Sequence, residues 1–107
     1  MIDYFKHQNG SVTVCDTEGV IIYMNDMSIN TFGDKRGMNL FACHPPHAQE
    51  KIKQLLAKGG TNSYTIEKQG KKKIIYQTTW QKDDGSIGGL IEYSFVIPFD
   101  MPHYIRK

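Results

Sequence analysis

The chain has 107 residues, 39% of them apolar, and a formal net charge of +2. That length suits one domain around one core, and the charge, gathered at Lys71, Lys72, Lys73, Arg106 and Lys107, is too small and too local for a nucleic-acid surface. No apolar run approaches the ~20 residues that span a bilayer, and Met1–Gly10 lacks the basic start and apolar stretch of a signal peptide; no membrane role and a cytoplasmic location are expected.

In chain order, residues 1–10 form a flank whose Ile2, Tyr4 and Phe5 make it a candidate dimerisation segment. Ser11–Cys15 and Gly19–Met24 are β-branched runs on either side of Asp16-Thr17-Glu18-Gly19, turn chemistry that predicts a β-hairpin. Asn25 and Asp26 can cap a short helix over Met27–Phe32, which Gly33 ends. From Pro45 to Lys58, Ala48, Ile52, Leu55 and Leu56 lie on one stripe of an amphipathic helix. Proline suits its first turn, Glu50 and Lys58 match the dipole, and Gly59-Gly60 stops it. The rest alternates at period two: Tyr64 and Ile66; Ile74, Tyr76, Thr78 and Trp80; then Ile91, Tyr93, Phe95 and Ile97. Turns at Gln69-Gly70 and Asp83-Asp84-Gly85 make this a three-stranded meander. The sum is an α+β domain with helices on one face of a five-stranded antiparallel sheet.

Local motifs add a resemblance. Cys15–Asn25 resembles the opening "D-x-x-G-x-I-x-x-x-N" of PAS domains, Gly37-Met38-Asn39-Leu40-Phe41 resembles their "G-x-x-L-F" element, and Asp84-Gly85 before Ile87-Gly88-Gly89 resembles their last turn. The stretch Asn39–Pro46 with Glu50-Lys51-Ile52, and the ending Ile97–Tyr104, are similar to a bacterial PAS subgroup with Cys-His-Pro before the long helix. The resemblance covers residues 11–104 and sets out a flank (1–10), a PAS domain (11–97) and a tail (98–107). It implies a cupped sheet whose concave face, closed by helices, holds a haem, flavin, nucleotide, fatty acid or metabolite, or is filled by side chains. Fold alone does not choose among these.

The candidate pocket residues are Cys43, His44, His47, Tyr76, Trp80, Tyr93 and Phe95. Cys15 and Cys43 are expected to remain thiols, buried or ligand-facing, because a reducing compartment disfavours the one disulfide they could form. Flavin photosensors of the family carry a reactive cysteine in "G-x-N-C-R-F-L-Q"; here Leu40 holds that position, which removes cysteine-adduct photochemistry. His44 or His47, beside the long helix, lies where haem-binding relatives supply an axial histidine, but a histidine there also caps a helix or faces water. Cys43, His44 and His47 lack the paired spacing of a zinc site, so no metal centre is expected. The rows Tyr76/Trp80 and Tyr93/Phe95 can line a pocket or form an ordinary core or interface.

No nucleophile, phosphate loop or paired carboxylate carries a catalytic motif, so no enzymatic activity is expected. No effector segment follows the last strand within these residues. The expectation is therefore a stand-alone sensory domain with an internal ligand, signalling as a homodimer or through a separate signalling protein. Two alternatives stand beside it. One is a ligand-free interaction and dimerisation module with a filled core. The other is a small isomerase-like enzyme on a similar scaffold, which needs a buried carboxylate or histidine at the cavity floor.

Overall fold

A computed structural model describes residues 1–107, apart from the side chain of Cys43, so that candidate lies outside the described residues. The elements run β1 (Ser11–Asp16), β2 (Ile21–Met24), α1 (Asp26–Phe32), a 3-10 turn (Leu40–Cys43), α2 (Pro46–Lys58), β3 (Thr61–Lys68), β4 (Lys71–Gln81) and β5 (Ile87–Ile97). They build one antiparallel sheet in the order β2-β1-β5-β4-β3, the expected α+β class. The first hairpin and the meander meet at the β1–β5 pair.

Each local signal has a visible cause. The Asp16 carboxylate accepts from the Glu18 and Val20 amides at 2.9 and 3.0 Å, closing the β1–β2 turn, and Gly19 takes the left-handed φ of 84° there. Asn25 caps α1: its Oδ1 accepts from Ser28 N at 3.0 Å. Gly33 ends α1 and Gly59 ends α2. In the β4–β5 turn Asp84 accepts from both the amide and the hydroxyl of Ser86, which holds its carboxyl below the ordinary value.

The core lies between sheet and helices. Ile52 and Leu55 of α2 are buried with Cys15, Ile21, Met24, Leu40 and Leu90. Ile52 is fully enclosed, a burial that contributes about 1.5–3 kcal/mol. Burial also pushes the Cys15 thiol up to about 11, so it serves as a small apolar filler and not as a nucleophile. The N-terminal flank is tied down at the far end of the sheet: Tyr23 donates to Asp3 at 2.6 Å, His7 meets Asp26 at 2.7 Å, and Asp26 N donates to Lys6 O at 3.0 Å. Its Met1, Ile2, Tyr4 and Phe5 side chains are nonetheless exposed.

Candidate functional site

Strand register places four polar residues in one row across the sheet, on the face that carries the helices: Thr13 (β1) opposite Glu92 (β5), Glu92 opposite Gln77 (β4), and Gln77 opposite Asn62 (β3). Such a row on a buried face has to find its partners close by, and the Gln77, Asn62 and Thr13 side chains do. Gln77, 2% exposed, donates through Nε2 to Glu92 Oε2 at 2.8 Å, and its own oxygen accepts from Asn62 Nδ2 at 3.1 Å. An ionised carboxylate only accepts, so Glu92 dictates which way both amides point. Thr13 shares a 2.6 Å hydrogen bond with Ser28 of α1.

Above this floor sits His44, between the 3-10 turn and α2. Its Nδ1 lies 3.0 Å from the Leu40 carbonyl, which accepts, and its Nε2 lies 3.4 Å from Glu92 Oε2. With both ring nitrogens facing acceptors the imidazolium fits this setting best. The His44 pKa is accordingly raised, chiefly by the Glu92 carboxylate, against the opposing effect of burial.

The His44–Glu92 pair stands between two cavities. The one beside α2, about 400 Å³, is lined by His44, Pro45, His47, Lys51, Tyr64 and Gln77 among others. The one beside α1, about 360 Å³, is lined by Thr13, Met24, Leu40, Lys35, His44 and Glu92 among others. His44 lines both, and His47 lines the first from the exposed start of α2. The two candidate histidines are thus brought to the site.

The aromatic candidates are not. Tyr76, Trp80, Tyr93 and Phe95 alternate with the floor residues, lie on the opposite face of the sheet and line neither cavity. Tyr76 and Tyr93 face each other with ring centres 6.3 Å apart, Tyr93 and Phe95 are 5.7 Å apart, and Trp80 donates to the Cys15 carbonyl at 3.1 Å. These are packing contacts within and between strands, with one hydrogen bond, the ordinary reading that aromatic rows on a sheet leave open. Glu92, Gln77, Asn62 and Thr13, the actual floor, carry no motif. Thr13 and Glu92 each lie between two apolar neighbours in their strand, a pattern that ordinarily marks a solvent-facing position, and Asn62 and Gln77 carry no such signal.

No protein-family model matches the chain, and neither does any curated protein. Solved structures do. The PAS domain from Bordetella pertussis BvgS is 15% identical, covering 90% of this chain and 82% of its own, with a TM-score of 0.62. The Aer2 receptor from Vibrio cholerae, a dual PAS-haem oxygen sensor, is 14% identical over 83% of this chain and 95% of its own, with a TM-score of 0.64. The chain has a PAS fold. Vibrio cholerae VqmA bound to DPO is likewise similar, at 19% identity and a TM-score of 0.66; the match covers 87% of this chain and 55% of VqmA. The ring nitrogen of His44 that a haem iron would use, Nε2, faces Glu92 Oε2 at 3.4 Å, while Nδ1 donates to the Leu40 carbonyl. Among the described residues no three His, Cys, Asp or Glu side chains gather into a metal site, and no helix is long and apolar enough to cross a membrane.

The half-buried His44–Glu92 pair makes the domain's stability depend on pH. Because the folded pKa of His44 is raised, its contribution is full below the unfolded value near 6.5 and is lost as pH rises through the folded value. Wild type should therefore lose melting temperature relative to His44→Gln as the pH rises above the unfolded value near 6.5. A gap between the two that stays constant as the pH rises would remove the pair as a contributor.

Proposed function

We propose that this PAS domain is a cytoplasmic sensor: a small molecule enters between the sheet and the helices, and occupancy is passed on through self-association or a separate signalling protein. The observation that carries this is the pair of cavities meeting at His44–Glu92 over a hydrogen-bonded polar floor. A core built only to support an interface would be filled by side chains, and volumes of a few hundred Å³ are those of ligand sites. VqmA, a solved structure to which this chain is similar, is described as bound to DPO. The self-association half rests on exposed apolar groups at both ends, Met1, Ile2, Tyr4 and Phe5 in the flank and Phe99, Met101, Tyr104 and Ile105 in the tail, with the aromatic sheet face as a further surface.

The test is a thermal-shift screen of the purified chain against a metabolite library, with native mass and an absorption spectrum. A true ligand at about 100 times its Kd should raise the melting temperature by about 10 °C or more and change the monomer–dimer balance. A monomer without bound mass, whose melting temperature no compound moves, would overturn the reading. A second reading, a small isomerase-like enzyme, draws on the carboxylate–imidazolium pair at the cavity floor. Following each stabilising compound by NMR separates the two, because a sensor leaves its ligand unchanged.

A further inference from the structure

The cavity beside α1 has one polar feature its surroundings do not satisfy. Glu92 Oε2 takes both the Gln77 amide and the His44 ring, whereas Oε1 has no hydrogen-bond partner among the described residues. No wholly enclosed side-chain nitrogen or oxygen among those residues lacks a partner, so Oε1 is reachable from the space that Glu92 lines. The Glu92 side chain is only 14% exposed, so what reaches Oε1 must come in through that cavity. The other lining is mainly apolar, from Ile21, Met24, Phe32, Leu40 and Ala42, and Thr13 is already engaged with Ser28.

We propose that the cavity beside α1 recognises a small, uncharged, largely apolar molecule carrying one hydroxyl or N–H group, which donates to Glu92 Oε1. The charges exclude the alternatives. An anion brings only acceptor oxygens to Oε1, which itself only accepts, so the two would meet unpaired in a desolvated setting. A cation would meet a carboxylate whose charge His44 already balances, with Lys35 as a further positive group on the lining. A molecule with no donor would leave Oε1 covered and unpaired, the costly half of the hydrogen-bond balance. A volume of about 360 Å³, near the lower end for ligand sites, sets the size. The inference rests on the small-molecule reading above and adds the class of molecule.

Four probes of one shape test it: phenol (neutral donor), anisole (no donor), benzoate (anion) and benzylamine (cation), titrated into the isotope-labelled protein by NMR. Phenol should move the Thr13 and Glu92 amides and bind about tenfold tighter than the other three, the ratio one hydrogen bond to a carboxylate supplies. Glu92→Leu should bring phenol down to the anisole level. If that variant fails to fold, Glu92→Gln, the same shape without the charge, should still narrow the gap between phenol and benzoate. Equal binding of phenol and anisole, or benzoate or benzylamine binding here as tightly as phenol, would overturn the class while leaving the pocket in place. If no probe moves these amides the proposal falls, and the sensory reading falls with it only if the metabolite screen is also empty.

Discussion

Asn25→Ala is expected to lower stability by about 3–5 kcal/mol, a fall in melting temperature of about 15–25 °C for a domain of this size. Asn25 is 1% exposed and its side chain makes four hydrogen bonds. Oδ1 accepts from Val12 N and Ser28 N, both at 3.0 Å; Nδ2 donates to Phe5 O at 2.9 Å and Gly10 O at 2.8 Å. One amide thus caps α1, holds β1 and anchors the flank. Alanine would strand two amides and two carbonyls, most of them away from water, at about 1–3 kcal/mol each before relaxation. Asn25→Asp separates the two halves: it keeps the cap but turns a second carboxylate oxygen toward two carbonyls, so it should also destabilise and should loosen residues 1–10 first. Urea unfolding and hydrogen exchange of the flank measure both. A loss under about 1 kcal/mol for Asn25→Ala would show that water replaces the amide at little cost.

That residue closes the "D-x-x-G-x-I-x-x-x-N" stretch, so here a sequence motif and its physical cause coincide. The turns, both helices with their caps and stops, and the three-stranded meander were readable for the same reason: each rests on chemistry within a few residues, such as Asp16 in its turn or Gly59 after Lys58. His44 was readable as a candidate because it sits at the start of the long helix.

The floor was not readable, because periodicity tells which residues share a face and not which face is inside. In a sheet with one covered face the apolar row is expected to point inward. Here Tyr76, Tyr93 and Phe95 point outward, where the rings pack on one another and Gly10 lies against Phe95, while Gln77 and Glu92 point inward. A cavity floor tolerates polar groups that a close-packed core does not, provided they pair with each other. The partners of Glu92 come from β4 and from the segment before α2, a meeting that only the folded chain brings about.

The junction that brings them together sets the second large effect: Gly89→Ala should prevent folding or cost more than about 4 kcal/mol. Gly89 pairs with Asp16 of β1 and Trp80 of β4, and a Cβ there would collide with the backbone carbonyl of Cys15 and crowd the Trp80 indole nitrogen at 2.7 Å. A carbonyl inside a strand pair moves only if the strands part, and β1–β5 is the pair that joins the first hairpin to the meander. Parting it also separates Thr13 from Glu92, the middle of the cavity floor. Gly88→Ala is the informative neighbour, since the three atoms nearest its Cβ all belong to the Trp80 ring, a side chain that can turn. It should cost about 1–3 kcal/mol, as overpacking does, and Trp80→Leu should recover part of that loss. The same Trp80→Leu should not rescue Gly89→Ala, because the Cys15 carbonyl is still in the way. Circular-dichroism melts of the two single and two double variants decide the matter: rescue of both glycine variants by Trp80→Leu would put the constraint in the indole, and rescue of Gly88→Ala alone puts it in the strand pair.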